Sequence, residues 1–138
     1  MDVKYVLKSG GYPPDRAYKD DAGWDLRSPI EVRVPAGGSC TIDTKLHVQI
    51  PSGYVGFLKS KSGLNVKSGL RCEGVIDAGY IGSIVAKVYN DSDDDYIFEA
   101  GDKIVQLVIL PIPEVEMIRA VALDGSDRMT DGFGSTGR

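Results

Sequence analysis

The sequence has few of the residues on which disulfide, zinc and histidine chemistry depend. It contains only two cysteines, Cys40 and Cys72, and a single histidine, His47, among 138 residues. Two thiols are too few for a disulfide framework or a cysteine zinc cage, and one imidazole excludes a histidine metal cluster. No motif suggests a Ser-His-Asp triad. We therefore expect two reduced thiols that act as packing groups, and we assign no chemistry to His47.

The chain also lacks an excess of positive charge and a long apolar run. Its 16 Lys and Arg are outnumbered by 20 Asp and Glu, which gives a formal net charge of −4. This balance provides no broad positive field, so a nucleic-acid polymer is not expected as a partner. The longest apolar stretch, 104–112, is broken by Gln106 and Pro111, and residues 1–8 have no signal-peptide core. We expect no membrane association and a cytoplasmic protein of cellular, viral or phage origin.

Alternating apolar residues indicate β-strands in several parts of the chain. The clearest segment is 40–50, in which one parity carries Cys40, Ile42, Leu46, Val48 and Ile50. The same alternation recurs over 3–7, 30–34 and 84–88, and segments rich in Gly, Pro and Asp separate these runs. One short helical turn is predicted at 62–67, with Ser62 near its start. The sequence predicts a single all-β domain over 1–127, either a sandwich or a barrel.

Two polar segments have too few apolar residues to form part of a core. The acidic run 91–95 lacks the glycine and the distal Glu of an EF-hand, so we interpret it as a solvated hairpin tip. The stretch 128–138 is rich in glycine and carries one aromatic ring, Phe133. Because it has little apolar surface with which to order itself, we expect a mobile C-terminal tail that closes over a ligand.

Five short motifs follow one another along nearly the whole chain. They are AGWDLRS (22–28), SKSGL (60–64), GVIDAGYIG (74–82), GDKIVQL (101–107) and GFGSTG (132–137). Together and in this order they resemble the motifs of trimeric dUTPases, which cleave dUTP to dUMP and pyrophosphate. The resemblance implies a distorted jelly-roll fold of the β-clip type. It also implies a homotrimer with three sites at the subunit interfaces, each built from three chains.

The resemblance assigns the third motif to the nucleoside. Gly74 and Ile76 would bind uracil through backbone groups, and Tyr80 would pack against deoxyribose so that a 2′-hydroxyl clashes. Gly79 permits the tight bend that a strand-turn-strand hairpin needs. Asp77 would lie near the attacking water as the general base, because an ionised Asp accepts a proton only within hydrogen-bond reach. An isolated Asp-Ala-Gly sequence would more often be a turn that caps its own hairpin.

The second and fourth motifs are assigned to phosphate. Ser62 and Gly63 would offer a hydroxyl and backbone N–H groups to phosphate oxygens, with Lys61 in support. Gln106 interrupts an otherwise apolar strand, and an unpartnered buried amide is costly. We expect it to orient the attacking water and an α-phosphate oxygen; the alternative is a core glutamine satisfied within the protein.

A triphosphate needs its charge neutralised before a nucleophile can approach, and Mg²⁺ is the usual means. In the family that the motifs resemble, the aspartate equivalent to Asp25 assists the metal through water. The alternative is a structural Asp that is bonded to Arg27 or to backbone N–H groups. Both interpretations stay open.

The tail motif completes the site that the resemblance implies. Phe133 would stack over uracil within its Gly134-containing loop, Ser135 and Thr136 would bind phosphate, and Arg128 would meet the terminal phosphate. Closure of the tail would exclude water, so that preorganised donors stabilise developing charge better than solvated ones do.

Some residues depart from the family pattern. Lys61 and Ile81 stand where Arg is usual, and Met129-Thr-Asp131 replaces a glycine-rich approach to the tail. Lys cannot reproduce the bidentate fork of Arg, so these departures bear on phosphate affinity and on the trimer's internal ion pairs rather than on the reaction. Arg71 has no explanation at this level.

Two rival functions share the same fold. One is a dCTP deaminase, although the GFGSTG tail favours a dUTPase. The other is a nucleotide-gated binding protein that controls a regulatory protein partner, with hydrolysis incidental or lost.

Overall fold

The computed structural model describes residues 1–137, and this part of the chain contains ten strands and one short helix. In chain order they are β1 (Lys4–Leu7), β2 (Gly23–Arg27), β3 (Val32–Val34), β4 (Ser39–Gln49), β5 (Tyr54–Lys59), α1 (Ser62–Ser68), β6 (Leu70–Arg71), β7 (Glu73–Ile76), β8 (Ser83–Asn90), β9 (Tyr96–Phe98) and β10 (Lys103–Pro111). The predominance of strands and the position of α1 confirm the predictions. Arg138, the end of the predicted tail 128–138, lies outside the described residues.

Two four-stranded antiparallel sheets make up most of the fold. The first has the order β1-β4-β8-β6, the second has the order β2-β10-β5-β7, and β3 pairs separately with β9. One cluster of buried apolar residues includes Leu46 and Ile84 from the first sheet and Leu58 and Leu107 from the second. The two sheets therefore enclose a common core, to which each fully buried Leu or Ile contributes about 2 kcal/mol.

β4 follows the alternation that its sequence predicts. Ile42, Leu46 and Val48 are buried, whereas the residues of the other parity are exposed or half-buried. Thr44 shares the buried parity, and its hydroxyl donates a hydrogen bond to the backbone oxygen of Ile84 at 2.7 Å. A polar residue is therefore accommodated in the core because its hydroxyl has a backbone partner.

The prediction of a hairpin in the third motif is wrong, because the two strands that flank the turn do not pair with each other. β7 pairs with β5 in the second sheet, whereas β8 pairs with β4 and β6 in the first. The segment 77–82 is therefore a crossing between sheets, which we call the 77–82 turn. Side-chain alternation predicts that both flanking segments are strands, but it carries no information about which partner each strand takes.

The acidic run forms an exposed turn between β8 and β9, but the predicted hairpin is wrong, because β9 pairs with β3 and β8 pairs with β4 and β6. The turn also explains Arg71. Arg71 Nε donates to Asp91 Oδ2 at 2.6 Å, and its guanidinium lies 4.3 Å from the centre of the Tyr89 ring. At the other end of the run, Asp95 accepts from Arg33 Nε at 2.8 Å and from Ala36 N at 2.8 Å. The two ends of the turn are thus fixed by arginines of neighbouring strands.

Along the described chain, the last backbone hydrogen bond that joins the C-terminal part to the rest of the protein runs from Ile112 N to Gly53 O at 2.9 Å. From residue 113 to residue 137 the chain has no helix or strand and every residue is exposed. Regular structure therefore ends at Pro111, and the domain boundary at residue 127 stays a prediction. Residues 113–123 are nevertheless rich in apolar side chains.

Candidate active site

Four polar residues form a row across the second sheet. Gln106 on β10 pairs with Asp25 on β2 and with Lys59 on β5, and Lys59 pairs with Glu73 on β7. Residues directly opposite one another on neighbouring strands project from the same face of a sheet. Strand register therefore brings together residues of the first and fourth motifs with Lys59 and Glu73, which directly precede the second and third motifs, and we call this set the polar row.

Asp25 is almost completely buried, at 8% exposed, and two lysines bind its carboxylate. Lys61 Nζ contacts Oδ1, and Lys103 Nζ lies 2.8 Å from Oδ2. The structural alternative in which Asp25 bonds to Arg27 is wrong, because Arg27 donates instead to Gly101 O at 2.7 Å and to Asp15 Oδ2 at 3.1 Å. Asp25 is thus held as a charged group between two cations.

Two opposing effects set the pKa of Asp25, and with it the charge of the carboxyl group. Burial on its own would raise the pKa of the carboxyl group, because it penalises the ionised form. Hydrogen bonds and charge attraction from Lys103 and Lys61 act in the opposite direction, and together they lower the pKa below its ordinary value. Asp25 therefore stays ionised at neutral pH despite its burial.

Gln106 is fixed by its neighbours in the sheet. Its Nε2 donates to Ser60 O at 3.0 Å, and Ser60 Oγ in turn accepts from Cys72 N at 3.0 Å. A Cβ at Gly23 would lie 2.2 Å from Gln106 Oε1, so the glycine makes room for this amide. Because an amide nitrogen has two protons, the contact with Ser60 leaves a donor for a ligand.

Ser62 and Gly63 begin α1 directly after the lysine that binds Asp25. Lys61 is the N-cap residue with extended backbone angles, and no side chain caps the helix. Ser62 and Gly63 are both exposed, and nothing lies within 4 Å of the position that a Cβ of Gly63 would occupy. The hydroxyl and the first backbone N–H groups of α1 are therefore accessible beside the polar row.

The 77–82 turn presents Asp77 and Tyr80 on the surface. Tyr80 N donates to Asp77 O at 3.2 Å, and Gly79 has a φ of +87°, which confirms the predicted tight bend. Tyr80 Oη donates to Ser83 O at 3.0 Å, and a Cβ at Gly82 would lie 2.3 Å from that hydroxyl. Gly82 therefore allows the Tyr80 ring to fold back over the turn. An open cleft is lined by Val75, Ile76, Asp77, Tyr80, Ser83 and Val85.

A single chain does not bring the 77–82 turn to the polar row. Gln106 pairs with Lys59 while Ile76 pairs with Gly56, so these two residues lie two strands apart and three residues apart along the strands. Strand spacing and rise place Ile76 and Gln106 about 14 Å apart, and Asp77 lies one residue further. Asp77 and Gln106 therefore cannot hold one water molecule between them in the same subunit.

Within the described part of the chain, the tail residues make hydrogen bonds only with residues close to them in sequence. Arg128 Nε donates to Asp131 O at 2.8 Å, and Ser135 N donates to Gly132 O at 3.1 Å, so both contacts are local. Phe133, Gly134 and Thr136 are exposed. Within residues 1–137, no group of three or more His, Cys, Asp or Glu could hold a metal ion, and no helix is long and apolar enough to span a membrane.

Several residues of the site were missed at the level of sequence. Lys103 was not singled out, although it lies in the fourth motif and near-complete burial of Asp25 requires a positive partner. Gly23 and Gly82 also belong to motifs, but the side chains that each must accommodate, Gln106 and Tyr80, become visible only in the fold.

The family model described as dUTPase matches residues 12–137 of this chain. The deoxyuridine 5′-triphosphate nucleotidohydrolase of Tropheryma whipplei (strain Twist) is 39% identical over 137 residues, covering 96% of this chain and 94% of that protein. The protein of the same name from Paramecium bursaria Chlorella virus 1 is 37% identical over 136 residues, covering 98% and 96%. This chain belongs to the dUTPase family.

Solved structures agree with the fold. The dUTPase of Staphylococcus bacteriophage 80alpha with dUPNHPP has a TM-score of 0.93 and 31% identity, covering 99% of both chains. A D95N mutant dUTPase of phage phi11 of S. aureus has a TM-score of 0.82 and 29% identity, covering 88% of this chain and 98% of that one. Its description refers to a structural Mg(II) ion in that protein. The expected fold of the dUTPase jelly-roll type is thereby confirmed.

Proposed function

We propose that this chain is a dUTP diphosphatase that hydrolyses dUTP to dUMP and pyrophosphate. The observation that carries the proposal is the dUTPase family match over 12–137, which includes all five motifs. Water attacks the α-phosphorus, the bond from this phosphorus to the bridging oxygen breaks, and pyrophosphate leaves. No covalent intermediate with the protein is required.

The active form is a homotrimer. The separation of about 14 Å between Ile76 and Gln106 in one chain supports this, because the two halves of the site have to meet across a subunit interface. In each site one chain supplies the 77–82 turn, a second supplies the polar row with α1, and a third supplies the tail.

The 77–82 turn binds the nucleoside and activates the water. Gly74 and Ile76 contact uracil through backbone groups, and the ring of Tyr80 closes the space beside C2′ of the deoxyribose. Asp77 accepts a proton from the attacking water as general base. Its carboxylate is exposed in the cleft beside Tyr80, so a bound nucleotide can approach it.

The polar row and α1 bind the triphosphate. Gln106 orients the water and an α-phosphate oxygen with its free amide proton, while Lys61, Ser62 and Gly63 contact further phosphate oxygens. The carboxylate of Asp25 suits a hard cation, but both of its oxygens already contact lysines, so Asp25 supports Mg²⁺ through water. When bound, the ion supplies neutralisation of the phosphate charge.

The tail closes the site. Phe133 stacks on uracil, Gly134, Ser135 and Thr136 wrap the phosphates, and Arg128 meets the terminal phosphate. The tail of a single chain is fully exposed between 128 and 137, so its residues are accessible to a neighbouring subunit. Its closure removes water from around the triphosphate.

The test is pyrophosphate release from dUTP, dTTP, dCTP and UTP, with and without Mg²⁺. We expect release from dUTP alone and dependence on the metal. Asp77→Asn should lower turnover on the order of 1,000-fold, while binding of a non-hydrolysable dUTP analogue persists. Asp93→Asn, which changes an exposed Asp of the acidic turn, is the matched control and should keep full activity. Turnover retained by Asp77→Asn would remove Asp77 from the role of base.

A nucleotide-gated regulatory function is the second candidate. One solved relative, the dUTPase of bacteriophage 80alpha, is described among phage dUTPases that control transfer of virulence genes by a G protein-like mechanism. A protein partner of this chain that binds only the dUTP-bound or only the free form would support such a function here. Ammonia release from dCTP, without pyrophosphate from dUTP, would instead favour the deaminase. A cytoplasmic location stays a prediction from the sequence.

A further inference from the structure

β4 contains an irregularity beside the 77–82 turn. Asp43 pairs with Val85 and His47 pairs with Ser83, so four steps along β4 oppose two steps along β8. Lys45, within the extra residues, has a φ of +60°, which is unfavourable for a residue with a side chain. We call residues 43–47 the β4 bulge. Bulges of this kind re-aim side chains and interrupt pairing at defined places.

Where strand pairing is interrupted, side chains of the bulge form hydrogen bonds with the start of β8. Ser83 Oγ donates to Asp43 Oδ1, and Thr44 Oγ1 donates to Ile84 O at 2.7 Å. Asp43 also stabilises the unfavourable backbone of Lys45, since its Oδ1 accepts from Lys45 N at 2.9 Å. Two consecutive residues of β4 thus hold two consecutive residues of β8, immediately after the 77–82 turn.

His47 extends this set of contacts into the turn itself. Its Nδ1 lies 2.8 Å from the backbone oxygen of Ile81, the residue that follows Tyr80. A carbonyl oxygen can only accept, so Nδ1 carries the proton and donates it. The sole histidine of the chain is therefore an anchor for the turn.

The strand pair of His47 with Ser83 also joins this junction to β4, and the other hydrogen bonds near the turn are internal to it or to its junction with β8. Tyr80 N donates to Asp77 O, and Tyr80 Oη donates to Ser83 O. These bonds fix the shape of the turn, whereas the contacts of Asp43 and His47 fix its position relative to the first sheet. Hydrogen bonds from Ser83 and Lys45 lower the pKa of Asp43 to about 2, so its acceptor oxygens remain charged under ordinary conditions.

We propose that Asp43 and His47 are positioning residues that set the place of Tyr80 and thereby the discrimination between deoxyribose and ribose. The inference rests on the proposed function, since Tyr80 is taken to close the space beside C2′. Neither residue touches the nucleotide in this scheme. His47 acts through the backbone oxygen of Ile81 and Asp43 acts through the hydroxyl of Ser83, and displacement of this segment would open room for a 2′-hydroxyl.

The test uses His47→Ala and Asp43→Ala, with His47→Asn as the conservative variant. The amide nitrogen of Asn lies close to the position of Nδ1, so Asn can still donate to Ile81 O. Thr41→Ala changes an exposed residue of β4 outside the bulge and serves as the matched control. For each variant, kcat/KM is measured with dUTP and with UTP.

Loss of one positioning hydrogen bond should lower the ratio of kcat/KM for dUTP to that for UTP by about fivefold to tenfold. His47→Asn should restore most of the ratio, and Thr41→Ala should leave it unchanged. A general loss of folded protein would lower both rates together and would leave the ratio constant. An unchanged ratio in His47→Ala and Asp43→Ala would overturn the proposal.

A second measurement does not depend on turnover. Amide hydrogen exchange of a peptide covering residues 77–82, in protein without nucleotide, should be about fivefold faster in His47→Ala than in Thr41→Ala. Wild-type protein that fails to cleave dUTP would refute the proposed function, while faster exchange in the variant would still support the anchoring role. Equal exchange in the two variants would contradict it.

Discussion

The sheets and the C-terminal segment of this protein obtain their order in different ways. Residues 1–112, which we call the body, bury a set of large apolar side chains in one core, including Leu26, Ile42 and Phe98. The C-terminal segment, residues 113–137, has apolar side chains too, but Met117 is 97% exposed and Leu123 is 93% exposed. Burial is the main source of folding free energy, so the body can fold from its own contacts. The segment requires a surface that its own body does not provide, which agrees with the proposed exchange between subunits.

Replacing Phe with Ala in each of the two regions should give the largest contrast in the free energy of unfolding. Phe98 is 1% exposed beside Tyr96, whereas Phe133 is fully exposed. Phe98→Ala should lower the free energy of unfolding by about 3–5 kcal/mol, because it leaves a cavity in the core. Phe133→Ala should change it by less than about 0.5 kcal/mol. Urea unfolding without nucleotide, at one protein concentration, measures both values. Similar losses in the two variants would show that the tail packs on the protein in its free state.

Deletion of 128–138 should lower activity and leave the stability of the fold unchanged. We expect kcat/KM for dUTP to fall on the order of 100-fold, because the donors and the ring that exclude water are removed. The urea midpoint should stay near that of the intact protein, since residues 128–137 bury nothing in the single chain. Phe133→Ala is the milder variant and should retain more activity than the deletion. Full activity of the shortened chain would argue against a closing tail.

The smallest expected effect is the loss of stability that the body undergoes as the pH falls. The pKa of Asp43 is lowered from 3.8 to about 2, chiefly by the hydrogen bond from Ser83. A lowered folded-state pKa means that the contribution to stability is present above pH 4 and is lost as the pH falls through 2. Because the side chain is 40% exposed, solvent screening reduces this contribution to about 1 kcal/mol.

Asp43→Asn should therefore flatten the loss of stability between pH 4 and pH 2, as measured by urea unfolding across this range. The deletion of 128–138 is the control and should keep the acid sensitivity of the full chain, since Asp43 lies in the body. An Asp43→Asn profile identical to that of the unchanged protein would mean that other carboxylates carry the effect.

The local features of the fold were the ones that the sequence could predict. The alternation in β4 and β8, the helix after Lys61 and the bend at Gly79 all depend on neighbouring residues, and all are present. The motif pattern also led to the correct family. Its assignments of individual roles to residues such as Asp77 and Phe133 stay predictions.

Contacts between residues far apart in the chain could not be predicted from the sequence. Periodicity gives the buried face of a strand but not its partner, so β7 and β8 were wrongly joined in one hairpin. The two lysines on Asp25 and the Asp91 partner of Arg71 depend on how strands align, which alternation leaves open. The β4 bulge was hidden as well, because its extra residues keep Ile42 and Leu46 on the same parity.

The register of β10 ties chemistry to folding in this protein. Gln106 stands in the polar row only because Val105 and Leu107 point into the core on either side of it. An insertion of one residue directly before Gln106 would send the amide inwards and an aliphatic side chain towards the proposed phosphate site, so neither the packing nor the proposed chemistry would survive. Length changes in this lineage should therefore collect in the turns and in the C-terminal segment, while the central strand keeps its length even where its residue types drift.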